Sequence, residues 1–449
     1  MKKLLDFPYS HVLVLGLAKS GTAAAKLLLD NGIQVRINDM KTEENDSVVV
    51  DLRKMGAEVV VGSHPLSVLD DIKLVVKNPG ISYDNPIIVE AKKRDIPIIT
   101  EIEIAYQLAG HSIIGITGSN GKTTTTTLIT EILQASKRPV KVAGNIGIVA
   151  TEVAQTLTEK ETLVLELSSF QLQGIEKFRP NIAVLLNIFE AHLDYHKTFA
   201  NYKQAKCNIF KNQTSDDYLV YNADDDVIVS ELKNAKAVLV PFSISKKVEQ
   251  GAWMDEDFVY FKDEKVISRE EIVLVGKHNL ENILAAISAA KLNGATNEGI
   301  RSVLTSFQGV KHRLQYVGHK LGRLFYNDSK ATNLLATQKA LSAFDKPVIL
   351  LAGGLDRGNG FDELAPFLTY VKAMVVFGQT KEKLKQLAEN TGVNEVVLAN
   401  RVEDAVEKAY SLSNEGDIIL LSPACASWDQ YRTFEERGDM FIQAVHKLV

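Results

Sequence analysis

Short apolar runs recur along the whole chain, each ending in a glycine or polar turn. His11–Leu15 (HVLVL) runs into Gly16, and Ala23, Ala24, Leu27 and Leu28 follow at helical spacing. Ile113–Ile116 runs into Gly118–Gly121, then Leu128, Ile129, Ile132 and Leu133. Val348–Leu351 runs into Gly353 and Gly354. Continuous apolar runs alternating with helical periodicity predict parallel strands buried on both faces and crossed by helices. Further strands are expected at Gln34–Asn38, Glu58–Val61, Leu74–Lys77 and Ile96–Thr100. Others are expected at Lys141–Ala143, Thr162–Leu165, Ile182–Leu186 and Tyr218–Tyr221, then at Leu324–Asn327, Met374–Phe377 and Ile418–Leu421. Helices are expected over Glu101–Leu108 and Thr198–Phe210, and the short charged segments of Val238–Gly276 predict a small β-ribbon.

The fold class is therefore α/β. With 449 residues and about 150 residues per domain, three domains are expected. Ala109–His111 and Gln308–Arg313 read as links. The boundaries follow: a Rossmann-like domain over residues 1–108, a central α/β domain with a parallel sheet over 109–309, and a second Rossmann-like domain over 310–449.

Composition narrows the class. A formal net charge of -5 argues against a sequence-independent nucleic-acid binder, which needs a broad basic face. No apolar run is long enough to span a membrane, and the N-terminal stretch lacks the core of a signal peptide. Cys207 and Cys425 lie far apart and outside any C-x-x-C. A cytoplasmic protein with reduced thiols is expected.

The candidate chemistry sits at strand ends. GITGSNGKTT closes on Lys122 and Thr123 at a predicted helix start, where free N–H groups favour a phosphate. Lysine can neutralise charge there and the threonine hydroxyl can ligate Mg²⁺. The usual loop has four residues between its first glycine and Gly-Lys; Gly118 leaves two and Gly115 leaves five. A glycine turn with a solvated lysine is the plain alternative. Gly16–Gly21 is compatible with a dinucleotide or with the diphosphate of a UDP-sugar, with Asp39 near a ribose hydroxyl. Asn78-Pro79-Gly80, Asn145, Glu166, Ser168 and His192 follow other strands, so a parallel sheet turns them toward one edge. Glu166 is the natural ligand for a hard cation, and His192 is either a ligand or a packed turn residue. Lys206, on a predicted helix, reads as a surface lysine. Asn279 and Asn282 share a helix face and could read a purine or hold a loop.

Taken together, GITGSNGKTT, GNIG, LELSSFQL, NIFEAHLD, GKHNLENILAA, HRLQ, NDSKATN and LLSPACASWDQYRTFEERG resemble the Mur ligase family of peptidoglycan synthesis. LELSSFQL, NDSKATN and the SPACAS…FEERG tail resemble those of members that add D-glutamate. The Asp-Asn-Pro-Arg signature of members adding lysine or diaminopimelate is absent. The resemblance implies ATP-dependent ligation of D-glutamate to UDP-N-acetylmuramoyl-L-alanine through an acyl phosphate. ATP is implied to lie on Gly118, Ser119, Asn120, Gly121, Lys122, Thr123 and Thr124, with Asn279, Asn282, Arg313 and Asp328. Two Mg²⁺ sites are implied from Thr123, Glu166, His192 and Lys206, with Lys206 carbamylated by CO₂, which reverses its reading as a surface residue. Lys122, Glu166, His192 and Lys206 are the implied catalytic set. The UDP-substrate is implied at Leu17, Ala18, Lys19, Ser20, Asp39, Asn78, Pro79, Gly80, Asn145 and Ser168. D-Glutamate is implied at Lys330, Thr332, Ser427 and Phe434, with Arg357 where some members carry a lysine. The partners implied are these small molecules alone, bound by a monomer.

Rival readings account for less. A dinucleotide-dependent oxidoreductase explains Gly16–Gly21 and Asp39 but leaves Lys122, Glu166 and His192 without roles. A nucleotide-gated binding protein would bind ATP and form no amide. A folylpolyglutamate-type ligase would not need a uridine-binding first domain.

Overall fold

The computed structural model describes residues 2–110, 112–274 and 276–448, so His111 of the first link lies outside the described residues. Three sheets form. The first contains β1 (His11–Leu15), β2 (Gln34–Asp39), β3 (Glu58–Val61), β4 (Leu74–Lys77) and β5 (Ile98–Ile99) in the order 3-2-1-4-5, all parallel. β5 is shorter than the predicted Ile96–Thr100. Pro97 lacks an N–H, and Thr100 turns away to donate its N–H to Gly174 O at 2.8 Å.

The second sheet contains β6 (Ile113–Thr117), β7 (Val140–Gly144), β8 (Thr162–Glu166), β9 (Ile182–Leu185), β10 (Tyr218–Asn222), β11 (Val238–Ser243), β12 (Ala252–Met254), β13 (Phe258–Phe261) and β14 (Glu264–Ser268). Their order is 14-13-12-11-10-9-6-8-7. The predicted ribbon is not a separate body. β11 and β12 continue the parallel sheet, and only β13 and β14 are antiparallel additions. The predicted helix over Thr198–Phe210 is α-helical over Phe199–Cys207 and tightens to a 3₁₀ turn at Asn208–Phe210.

The third sheet contains β15 (Gln315–Lys320), β16 (Arg323–Asn327), β17 (Val348–Gly353), β18 (Val371–Phe377), β19 (Glu395–Leu398) and β20 (Ile418–Leu421), in the order 15-16-20-17-18-19. β15 and β19 were not anticipated. Both are edge strands, half in solvent and polar at many positions, so they carry no continuous apolar run.

By contact density the chain forms two compact units, Met1–Glu271 with Leu280–Thr305, and Ile272–Asn279 with Ser306–Val449. The first unit holds the first two sheets. One apolar core, including Val12, Leu27, Ile104, Leu165 and Leu185, runs through both. Their junction is built on the helix Glu101–Ala109, whose first turn buries two carboxylates. Glu103 accepts the N–H groups of Glu176, Lys177 and Phe178 at 2.8, 2.8 and 3.0 Å. Glu101 accepts from the N–H of Thr151. A buried carboxylate is tolerated where backbone donors replace its water. The second unit packs apolar clusters on both faces of the third sheet.

Glu103→Ala should lower the unfolding free energy of the first unit by roughly 3 kcal/mol, because three N–H groups lose their acceptor. A urea unfolding midpoint equal to that of the parent chain would contradict this.

Candidate active site

In the first unit, parallel register decides which strand tips meet. Ile116 of β6 lies beside Glu166 of β8, which lies beside Gly144 of β7, while Thr117 lies beside Leu185 of β9. The glycine loop, GNIG, Glu166 and the segment after β9 therefore leave neighbouring strands at one edge.

The loop leads from Thr117 into the helix Lys122–Ala135. Gly121 sits at φ +83°, and a Cβ there would lie 2.1 Å from Asn282 Oδ1, so both angle and space demand glycine. Ser119 N–H donates to Asn187 O at 2.9 Å, and Asn120 N–H to Asn187 Oδ1 at 2.8 Å. The Tyr202 hydroxyl donates to Ser119 Oγ at 2.9 Å. The loop is thus held from outside, and its compact glycine spacing is supported by Asn187 and Tyr202. Sequence reading gave neither a role, although Asn187 is the polar residue just past β9.

Lys122 Nζ donates to Gly118 O at 2.8 Å and to Ser119 O at 3.1 Å. Lys206 Nζ donates to the same Gly118 O at 2.7 Å. Lys206 is only 2% exposed, so its reading as a surface lysine is wrong; the helix turns that face inward. Its nitrogen lies 4.8 Å from the centre of the Tyr202 ring. Burial first, and then the charge of Lys122, hold its ammonium well below the ordinary lysine range. The shift favours the neutral, nucleophilic form of the amine.

Glu166 is buried. Its Oε1 accepts from Asn145 Nδ2 at 2.9 Å, while Oε2 has no hydrogen-bond partner. His192 stands in the left-handed region at φ +55° with its ring edge-on to Phe170, centroids 5.0 Å apart. Burial, then the charge of Lys206, keeps its imidazole below its ordinary value. Among the described residues no group of three or more His, Cys, Asp or Glu side chains could hold a metal ion. Ser168 caps the helix Ser169–Leu172, and both its N–H and its hydroxyl donate to Gln171 Oε1 at 2.9 Å.

The first sheet gathers a second group. Asp39 Oδ2 accepts from Leu17 N–H at 2.8 Å, and Oδ1 accepts from the N–H groups of Lys41 and Thr42. Burial opposes the charged form, but the bonds from Leu17, Thr42 and Lys41 outweigh it and hold the carboxyl below its ordinary value. Asp39 thus ties the first glycine loop to the turn after β2, and both its oxygens are engaged within the protein. Asn78 Nδ2 donates to Ser20 Oγ at 3.2 Å. Ala18, Lys19 and Gly80 are exposed beside them, and Pro79 is half-buried.

The helix Lys277–Leu292 carries Asn279 and Asn282, both buried. Asn282 Oδ1 accepts from the Thr125 hydroxyl at 3.4 Å. Asn279, Arg313 and Asp328 belong to the second unit. There Asp328 accepts from Leu314 N–H at 3.0 Å and the Ser422 hydroxyl at 2.9 Å, and burial pushes its carboxyl up to about 7. Arg313 is exposed. Thr332 and Arg357 line one cavity of about 360 Å³ with Leu355, Phe361 and Cys425. The Arg357 guanidinium lies 5.2 Å from the Trp428 ring centre. Lys330 Nζ lies 4.9 Å from the ring centre of Phe434, and the buried Ser427 Oγ has no hydrogen-bond partner. Beneath them Arg437, fully buried, donates to Ser329 O at 2.9 Å, Cys425 O at 3.0 Å and Gly353 O at 3.3 Å. It ties three strand-end loops together, a role not read from its place in FEERG.

The families described as "Mur ligase MurD-like, N-terminal domain", "Mur ligase middle domain" and "Mur ligase, glutamate ligase domain" match residues 10–100, 116–290 and 312–425. A UDP-N-acetylmuramoylalanine–D-glutamate ligase of Oceanobacillus iheyensis is 64% identical over 448 residues, covering 100% of both chains. The chain belongs to the Mur ligase family. A Bacillus subtilis protein of the same name is 57% identical, covering 98% of both chains. Among solved structures, the MurF ligase of Thermotoga maritima in complex with ADP is similar with a TM-score of 0.57 at 19% identity, covering 97% of this chain and 95% of that one. Another Mur ligase structure, a 2,6-diaminopimelate ligase, is similar with a TM-score of 0.58 at 19% identity, covering 98% and 93%. These last two bear on the fold alone. Mur ligase matches in all three sheets leave the oxidoreductase and folylpolyglutamate readings without support.

Gly121→Ala should raise the KM for ATP by about tenfold or more, since a Cβ at this left-handed position costs on the order of 1–2 kcal/mol before any clash. Steady-state kinetics with varied ATP measure it, and an unchanged KM would refute the loop geometry.

Proposed function

We infer that the chain is an ATP-dependent amide-bond-forming ligase that joins D-glutamate to UDP-N-acetylmuramoyl-L-alanine in peptidoglycan synthesis. Full-length identity of 64% and 57% to ligases of that name carries this reading. The acceptor carboxylate takes the γ-phosphoryl group of ATP, releasing ADP and forming an acyl phosphate. The D-glutamate amine then attacks the acyl carbon, and phosphate leaves with the C–O bonding pair. Both steps gather negative charge, so the protein's part is positioning and neutralisation.

The roles proposed for this chain are those that the family resemblance implies, residue by residue. Residues 1–108, 109–309 and 310–449 act as acceptor-binding, ATP-binding and amino-acid-binding domains. Lys122 and the loop residues Gly118, Ser119, Asn120, Gly121, Thr123 and Thr124 hold the ATP phosphates, the Ser119 and Asn120 N–H groups acting by fixing the loop on Asn187, with Asn279, Asn282, Arg313 and Asp328 on the remainder of the nucleotide. Leu17, Ala18, Lys19, Ser20, Asn78, Pro79 and Gly80 hold the uridine diphosphate, where Asp39 acts by fixing the loop at Leu17. Asn145 and Ser168 meet the acceptor's muramoyl-alanine end. Lys330, Thr332, Arg357, Ser427 and Phe434 hold D-glutamate, and the unpartnered Ser427 hydroxyl supports this. Arginine at 357 can grip a carboxylate with two parallel bonds.

The residues present fit Mg²⁺. Glu166 Oε2 is a buried oxygen with no donor on it, and Mg²⁺ is commonly held by one or two carboxylates plus substrate phosphates, so no cluster of acids is required. Thr123 and Glu166 would hold one ion, and His192 with Lys206 a second; such ions neutralise phosphate charge. Lys206 supports this once its ammonium, lowered by burial, loses a proton and the amine adds to CO₂ with loss of a second proton, becoming a carbamate. That exchange removes the ammonium facing Lys122 and supplies oxygens in its place. The reaction belongs in the cytoplasm and to a monomer. Two buried free cysteines, and no described helix long and apolar enough to cross a membrane, support the first. Every proposed binding group coming from one chain supports the second.

With ATP, Mg²⁺ and UDP-N-acetylmuramoyl-L-alanine, phosphate release should require D-glutamate among a panel of amino acids. Release with none of them would undo the assignment. Lys206→Ala should lower kcat on the order of a hundredfold or more and recover in part with added short carboxylic acids. Full activity without them would defeat the carbamate.

A further inference from the structure

Lys77, the last residue of β4, is fully buried, and among the described residues no carboxylate pairs with it. Four neutral oxygens instead lie within hydrogen-bond distance of its Nζ and share its N–H groups: Asn78 O at 3.2 Å, Pro79 O at 3.1 Å, Ile81 O at 2.8 Å and Tyr195 Oη at 3.0 Å. The rings of Tyr83 and Tyr195 flank it at 4.9 and 5.7 Å. The Tyr195 hydroxyl in turn donates to Pro79 O and Ile81 O at 3.1 and 2.9 Å. Burial lowers the ammonium to about 7, and the amine keeps two N–H groups for these oxygens when it is neutral. An amine buried without a counterion costs stability, so its bonds must organise something that apolar packing would not.

What they organise is specific. Two of the three carbonyls, those of Asn78 and Pro79, belong to the segment assigned above to the uridine diphosphate, and Ile81 directly follows it. Tyr195 lies on the helix Leu193–His196, whose N-cap is His192. The same helix is held from beneath: His196 Nε2 pairs with Ser169 Oγ at 2.9 Å, and Phe170 meets the rings of Tyr195 and His192 with centroids 4.5 and 5.0 Å apart.

We propose that Lys77 and Tyr195 are positioning residues that brace the acceptor-binding loop Asn78–Ile81 against the turn carrying His192, and so set the reach from the uridine diphosphate to the reacting carboxylate. This rests on the acceptor site assigned above. Neither side chain needs to touch substrate.

The test uses Tyr195→Phe, which keeps the ring and removes the hydroxyl, and Lys77→Met, which keeps the length of the side chain. Each should raise the KM for UDP-N-acetylmuramoyl-L-alanine about tenfold while the KM for ATP stays within about twofold, as expected for a lost charge-assisted or buried hydrogen bond acting on one substrate. The double variant should be no worse than Lys77→Met alone, since both changes break one network. Calorimetric binding of UDP-N-acetylmuramoyl-L-alanine to each full-length variant gives a second readout, and Tyr195→Phe decides alone if Lys77→Met does not fold. An acceptor KM within about twofold of the parent, or equal rises in both KM values, would overturn the proposal. D-Glutamate-dependent phosphate release by the parent enzyme, measured alongside, keeps this outcome separate from the assignment of activity.

Discussion

Two lysine nitrogens donate to one carbonyl oxygen, that of Gly118, and the proposed catalytic centre is arranged around this crowding. Two ammonium groups so close, one of them buried, repel strongly where water cannot screen them. Burial and the neighbouring Lys122 charge both push Lys206 toward giving up its proton. Lys122, by contrast, is only half-buried, at the start of the helix that follows the loop. A pair of identical side chains is thereby set apart by burial and by their mutual charge. The arrangement depends on Gly118 being held still, which is the work of Asn187 and Tyr202 on the loop's outer side.

The remaining groups follow from parallel pairing. Side chains at the ends of adjacent parallel strands face a common edge, and register decides which of them are neighbours. Glu166 beside Ile116 and Gly144 brings one carboxylate oxygen to Asn145 and leaves the other without a donor. An unsatisfied buried oxygen is costly in isolation and useful to a cation arriving with phosphates. The same economy holds in the second unit, where Arg437 is spent on carbonyls and leaves the surface cavity to Thr332 and Arg357.

Most strands were legible because they are buried on both faces and read as unbroken apolar runs. β15 and β19 were not, since edge strands face water and mix polar residues into the run. β5 was read too long because the ring of Pro97 interrupts a run that looks continuous by hydropathy. The glycine loop, Glu166 and His192 stood out as candidates because they lie at or beyond the ends of apolar runs. Lys206 was not: a lysine on a helix carries no mark of which way it points. The bracing contacts of Asn187, Lys77, Tyr195 and Arg437 were also invisible, because each reaches backbone N–H or carbonyl groups that every residue possesses.

By itself the sequence determined the α/β alternation, the glycine turns and the residue types offered at the strand ends, because these depend on local periodicity and backbone geometry. Tertiary structure decided which lysine is buried, which carboxylate oxygen is left open, and which loop Asp39 and Lys77 hold. Those outcomes depend on strand register and on desolvation, which exist only once distant segments have packed together.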